Sequence, residues 1–185
     1  MRGLAILLLV GAFTACGDSG AGEPKPAAPA ATWDGRTVIR HVDHAAGLAF
    51  DLPASGYRLA ARRFSHDLPA HKFRESFTIT GPDGVAVTVD AWDNPAGLAL
   101  APWFERHLAF TRGPPALTSS GTATAARVPA ILVAQPRSEQ AAGRDLAVFA
   151  VSGRVFRVTC HDRDDPRRQA VYARVLDTFA AEAPR

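Results

Sequence analysis

Three short clusters in this sequence carry residues able to do chemistry. His41, Asp43 and His44 combine two imidazoles with a carboxylate, a donor set that zinc or manganese accepts. On an extended strand His41 and Asp43 share a face while His44 points to the other, so a metal site here requires a turn; without one these are solvated loop residues. His161, Asp162, Asp164 and Asp165 offer several oxygen donors to a hard cation. Arg163, Arg167 and Arg168 lie among and after them, and acids before a helix are favoured by its dipole, so a capping, salt-bridged loop is the plainer reading. Cys160 and His161 are adjacent, face opposite sides of a strand and cannot form a nucleophile–base pair, which leaves Cys160 as a small core thiol. Ser65-His66-Asp67 fails for the same reason, because a triad is a spatial arrangement and not a tripeptide. The sequence holds no Gly-x-Ser-x-Gly elbow, phosphate-binding loop, dinucleotide fingerprint or Cys-x-x-Cys pair. No catalytic residue and no cofactor is therefore expected, and the chain reads as something other than an enzyme.

A fourth region is electrostatic. Arg58, Arg62, Arg63, Lys72 and Arg74, with His66 and His71 between them and Phe64 and Phe73 interleaved, form the densest basic stretch. Such a surface can meet anionic lipid, a polyanionic cell-wall polymer or an acidic protein patch, or simply be a solvated edge. Across the whole chain 21 basic residues face 18 acidic ones, a net charge of +3 that is too small and dispersed to predict nucleic acid as a partner. Trp92, Trp103 and Phe104 read as core, with a groove lined by Trp92 as the alternative.

The elements that must position these groups follow from periodicity. A chain of 185 residues with 47% hydrophobic and 21% charged composition suits one mid-sized domain and excludes long disorder or a multi-span membrane protein. Leu48, Phe50 and Leu52 alternate with Ala49 and Asp51 before Pro53, which predicts a half-buried strand. Tyr57, Leu59 and Ala61 begin another. The alternation at 73–80 and 85–92, joined by Gly81-Pro82-Asp83-Gly84, predicts a hairpin. Ser152-Gly153 supplies a two-residue turn between Leu146–Val151 and Arg154–Cys160, and Ala130–Ala134 forms a short apolar strand before them. Leu100, Phe104 and Leu108, four apart, predict a helix over about 98–110, closed by Gly113-Pro114-Pro115. Asp165-Pro166 pairs an N-cap with proline at the first helical position, and Val171, Val175 and Phe179 give the helix that follows an apolar face that must lie on a sheet. The fold class expected is α+β, an antiparallel sheet flanked by helices.

The first 32 residues set the expected location. Arg2 precedes a run without charge from Gly3 to Phe13, then Thr14-Ala15-Cys16. A basic start, an apolar stretch too short to span a bilayer and a small residue before the cut describe a secretory signal peptide over 1–15. Phe13-Thr14-Ala15-Cys16 resembles a bacterial lipobox. That resemblance implies lipidation of Cys16, with diacylglycerol on the thiol and a further acyl chain such as palmitate on the amine, two or three chains being enough for stable anchoring. Residues 16–32 comprise the anchor cysteine and a Gly/Pro/Ala-rich tether, roughly 50 Å long if extended at about 3.3 Å per residue. Residues 33–185 form a single domain.

Two stretches of that domain carry a family resemblance. Gly47-Leu-Ala-Phe-Asp-Leu-Pro53 resembles the opening strand of PsbP-like domains, and Ser152-Gly153-Arg-Val-Phe-Arg-Val-Thr-Cys160, followed by a helix ending Leu176-Asp-Thr-Phe179, resembles their closing module. The resemblance implies an α/β/α sandwich used for binding or assembly, in a group that takes in a photosystem II extrinsic subunit, a Ran-binding nuclear protein of Mog type and DcrB/LpqN-like bacterial lipoproteins. It brings no shared catalytic constellation. The expectation is a lipid-anchored, extracytoplasmic (periplasmic-face) protein of the cell envelope, held to the bilayer through acylated Cys16 and binding another envelope protein. A small-molecule or metal-binding receptor is the alternative.

Overall fold

The computed structural model describes residues 32–33, 36–65, 68–69, 72–109, 117–123 and 128–181. The expected signal peptide, Cys16 and the tether up to residue 31 lie outside the described residues, as do His66, Asp67, His71 and Gly113-Pro114-Pro115.

Eleven strands and two helices are present among the described residues. In chain order the strands are β1 (Thr32–Trp33), β2 (Arg36–Asp43), β3 (Leu48–Pro53), β4 (Arg58–Arg63), β5 (Glu75–Gly81) and β6 (Gly84–Asp93). After helix α1 (Leu100–His107) come β7 (Leu117–Ala123), β8 (Val128–Gln135), β9 (Arg144–Val151) and β10 (Arg154–Cys160), then helix α2 (Pro166–Thr178) and β11 (Ala180–Ala181). Seven strands form one antiparallel sheet in the order β4-β5-β6-β10-β9-β8-β7, and four form a smaller one, β1-β2-β3-β11. The expected α+β class, an antiparallel sheet flanked by helices, is the architecture observed. The smaller sheet is an addition to the single sheet expected, and the tether boundary shifts by one residue because Thr32 is already in β1.

Local chemistry accounts for the elements. The β9–β10 turn needs a left-handed backbone at both central residues, and Ser152 (φ 52°) and Gly153 (φ 74°) supply it. Asp165 caps α2, its carboxylate accepting from the Arg167 and Arg168 N–H groups, and Pro166 sets the first helical φ.

Strand alternation then divides the core between the two faces of the large sheet. On one face Phe77, Ile79, Val87, Val89, Ala147, Phe149, Phe156 and Val158 pack against Val171, Val175, Leu176 and Phe179 of α2 and its end, and against Leu48, Phe50 and Leu52 of the small sheet. Phe149, Phe156 and Phe179 meet with ring centroids 4.9–5.9 Å apart. A polar clamp joins the small sheet to the helix: the Asp51 N–H donates to Thr178 Oγ1 (2.9 Å), while Arg40 and Arg174 both donate to the Asp51 carboxylate. On the opposite face Trp92, Ile131, Val133, Leu146, Val148 and Val155 pack against Trp103, Phe104 and Leu108 from α1 and its C-cap. The small sheet with α2, the large sheet, and α1 thus make three layers.

Candidate functional site

The helix α1 has eight residues and covers only part of its face. What it covers is apolar, centred on Trp92, which meets Trp103 edge-on at 5.5 Å and Phe73 at 5.8 Å. Beyond α1 the same face turns polar. Alternation places Ser76 and Thr78 of β5, Thr88 and Asp90 of β6, and Arg157 and Thr159 of β10 on the side opposite Phe77, Val89 and Phe156. The register sets them opposite one another: Arg157 pairs with Asp90 and Thr159 with Thr88, while Gln135 of β8 pairs with Arg144 of β9.

These residues enclose a cleft of about 240 Å³ lined by Thr88, Gln135, Arg144, Leu146, Arg157, Thr159 and His161. Its floor is held by an ion pair. Arg157 donates to Asp90 Oδ2 through Nη2 (2.8 Å) and Nε (3.2 Å), and Ser76 Oγ donates to Asp90 Oδ1 at 2.7 Å. The Asp90 side chain is only 4% exposed, so this carboxylate depends on those partners. The Arg157 guanidinium also lies over the Trp92 ring, 5.2 Å from its centroid, at the border between the apolar and polar halves. His161 Nε2 and Thr88 Oγ1 share a hydrogen bond at 3.1 Å. Burial first, then the positive charges of Arg144, Arg168 and Arg157, hold the His161 pKa below its ordinary value against the opposing pull of Asp90. His161 is therefore neutral at pH 7. The cleft presents cationic, hydroxyl and amide groups around a neutral imidazole.

The residues singled out from sequence are dispersed. Asp43 accepts from Arg63 at 2.7 and 3.0 Å and from the Ala46 N–H at 2.9 Å, so its carboxylate is committed to a turn and an ion pair. His41 lies over Phe50 at 6.1 Å, and His44 is exposed in the turn that follows β2. Among the described residues no three His, Cys, Asp or Glu side chains form a group able to hold a metal, so His41, Asp43 and His44 are not gathered as a ligand set. In the 161–165 loop, Arg137 reaches Asp162 and Asp164, Arg163 reaches Asp145 and Arg168 reaches Asp165, which is the capped, salt-bridged loop of the plainer reading. Cys160 is fully buried, its Sγ–H donates to the Asp162 carbonyl, and burial pushes its pKa up to about 11, so the thiol is protonated and unreactive in the fold.

The basic stretch is partly consumed within the chain. Arg63 pairs with Asp43 and, at 3.7 Å, with Glu75; Arg74 pairs with Asp93 and donates to the Ser65 and Leu68 carbonyls. Arg62 stacks over Phe64 at 4.8 Å. Arg58, Arg62 and Lys72 are exposed. By register Arg62 lies opposite Ser76 and Arg58 opposite Thr80, with Leu59 between them turned to the core, so both arginines extend the polar half-face to its β4 edge.

Arg144, Arg157, Thr88 and Thr159 were not singled out from sequence. A signal existed: Val155, Arg157 and Thr159 share one face of a strand whose other face reads Phe156, Val158, Cys160, which is unusual for a strand buried at the middle of a sheet.

No family model matches the chain, and no curated protein matches it. Among solved structures it is similar to cyanobacterial PsbP (CyanoP) from Synechocystis sp. PCC 6803, determined in solution: 11% identity, TM-score 0.46, covering 87% of this chain and 98% of that one.

Proposed function

We propose that this chain is a lipid-anchored, extracytoplasmic binding protein of the cell envelope that holds its partner on the half-face left open by α1 and does no chemistry on it. The observation that carries the reading is the division of that face: the half beyond α1 bears Arg58, Arg62, Ser76, Thr78, Thr88, Arg157 and Thr159 where packing would demand apolar residues. Asp90, the acid set among them, is buried and paired, so the open surface is basic. An acidic segment of another envelope protein complements it. The anchor is assigned from the Phe13-Thr14-Ala15-Cys16 lipobox resemblance. The domain is entered through β1, at the edge of the small sheet, which packs on the other face of the large one. Among the described residues no helix is long and apolar enough to cross a membrane.

The test has two parts. Radiolabelled palmitate incorporates into the native chain and is lost in Cys16→Ser. Capture of the lipidated protein from mild-detergent envelope extracts recovers a near-stoichiometric protein that is lost in the pair Arg58→Glu and Arg62→Glu. Recovery of the lipoprotein alone, from native and variant alike, defeats the protein-partner reading. The volume of the cleft favours a second one, a receptor for a small molecule.

A further inference from the structure

The cleft beside α1 has a chemical bias that narrows what a small ligand there must be. Four antiparallel strands contribute to it: Thr88 from β6, Arg157 and Thr159 from β10, Arg144 from β9 and Gln135 from β8. Its two cations differ. Arg157 is neutralised by Asp90, to which it donates through Nε and Nη2, and among the described residues Nη1 meets no acceptor. The Arg144 guanidinium has no hydrogen bond or ion pair to any described residue, and its charge is felt by His161. Among the described residues no carboxylate lines the cleft. Among the described residues one positive charge without a partner thus lines the same cleft as an arginine already aligned by its own ion pair, with Arg157 opposite Val148 and Arg144 four residues along the same face of β9, and the hydroxyl groups of Thr88 and Thr159 on the cleft wall.

We infer that the cleft binds a small organic oxyanion, a phosphate ester or a carboxylate, held by Arg144 and Arg157 and hydrogen-bonded along its body by Thr88, Thr159 and Gln135. This rests on the receptor reading of the same site. The charge balance selects the class: an incoming anion completes the pairing of Arg144, whereas a cation would meet two guanidinium groups. The guanidinium fork suits planar carboxylate and phosphate oxygens. Size selects against a bare ion: at ~30 Å³ per water the cleft holds about eight waters, room for an oxyanion carrying several more heavy atoms. Among the described lining residues Leu146 supplies the apolar wall.

The experiment uses the full chain in mild detergent, with glycerol phosphate and succinate as probes and glycerol as the neutral control, read by calorimetry and by the thermal unfolding midpoint. Saturable binding of an anionic probe, weakened about tenfold or more by Arg144→Gln, further by Arg144→Glu, and unchanged by Arg167→Gln on α2, is the expected result. Arg144 is exposed, so neither substitution at that position threatens the fold. A second arm mixes the Cys16→Ser chain with phosphatidylglycerol or phosphatidylcholine vesicles. Arg144-dependent binding to phosphatidylglycerol alone assigns the oxyanion to a lipid headgroup, and binding of free glycerol phosphate assigns it to a soluble molecule. Binding that Arg144→Gln leaves intact overturns the inference as scattered surface charge. Glycerol binding as tightly as its phosphate overturns the oxyanion while the receptor reading stands. No binding by any probe, with an envelope protein captured through Arg58 and Arg62, overturns both.

Discussion

The two faces of the large sheet are made by the same strands and finish differently. On the α2 side Phe77, Ile79, Val87, Val89, Ala147, Phe149, Phe156 and Val158 form an apolar surface, and a helix, a second sheet and three mutually packed phenylalanines cover it. On the α1 side a shorter helix seals the Trp92 half and leaves Asp90, Arg157, Thr88 and Thr159 on the other. Dry packing on one face supplies the stability that lets the other carry charged groups, which add little stability themselves and require exact partners. Substitutions should therefore behave differently on the two faces, in size and in kind.

The largest effect belongs to the closed face. Phe156→Ala removes a ring that touches both Phe149 and Phe179 and leaves a cavity beneath α2, at a cost of about 3–5 kcal/mol. The denaturant midpoint should fall steeply with no change in slope. A loss below ~1 kcal/mol would mean that α2 does not close this face as described.

Next comes Asp90, where the effect is one of pairing and not of volume. Asp90→Ala strands Arg157, whose side chain is only 17% exposed, and should cost about 3 kcal/mol. The double variant Asp90→Ala with Arg157→Met should recover most of that loss, because an apolar side chain can lie on Trp92 where the guanidinium does. Chemical denaturation of the singles and the double reads the coupling; simple additivity would show that the pair acts independently.

A third effect is smaller and local to α2. Asp165→Ala leaves the Arg167 and Arg168 N–H groups without their acceptor and should cost about 1 kcal/mol in the same assay. An unchanged midpoint would show that the Arg168–Asp165 pair and cap are solvated in the folded chain.

How much of this was legible in the sequence differs between the faces for a physical reason. Apolar alternation is a local signal, so the 48–53 strand, both hairpins and the capped C-terminal helix could be read directly from Leu48, Phe50, Leu52, Ser152-Gly153 and Asp165-Pro166. Four strands escaped: the two-residue β1 and β11, Arg36–Asp43, which leaves Ile39, Arg40 and Val42 exposed and so shows no clean alternation, and Leu117–Ala123, which reads Ser-Ser-Gly where a strand signal would be apolar. The cleft escaped for another reason. Thr88 joins the β9–β10 hairpin that carries Arg144 and Arg157 only through the β6–β10 pairing, which no local pattern encodes. Adjacent residues such as His41, Asp43 and His44 attract attention by proximity in the chain, yet strand geometry and the commitment of Asp43 to Arg63 keep them apart in role.

The smallest effect is a pH dependence that separates the faces without any substitution in the core. His161, at the rim of the open face, has its pKa lowered in the fold, so below its unfolded value near 6.5 the unfolded chain binds more protons than the native one. Its contribution to stability is complete above about 6.5 and is lost as the pH falls from there through the folded pKa. His41, over Phe50 on the small sheet, is lowered in the same direction by burial, partly offset by Asp51, and adds to the decline. His161→Gln keeps a hydrogen-bonding group beside Thr88 and should flatten the slope between pH 7 and 5, whereas His41→Gln should flatten it by a separate, additive amount. Unfolding midpoints measured across that range decide the point. A slope unaltered by His161→Gln would place the open-face imidazole in water in the folded chain, and the low-dielectric corner assigned to it beside Arg144 and Arg157 would have to be given up.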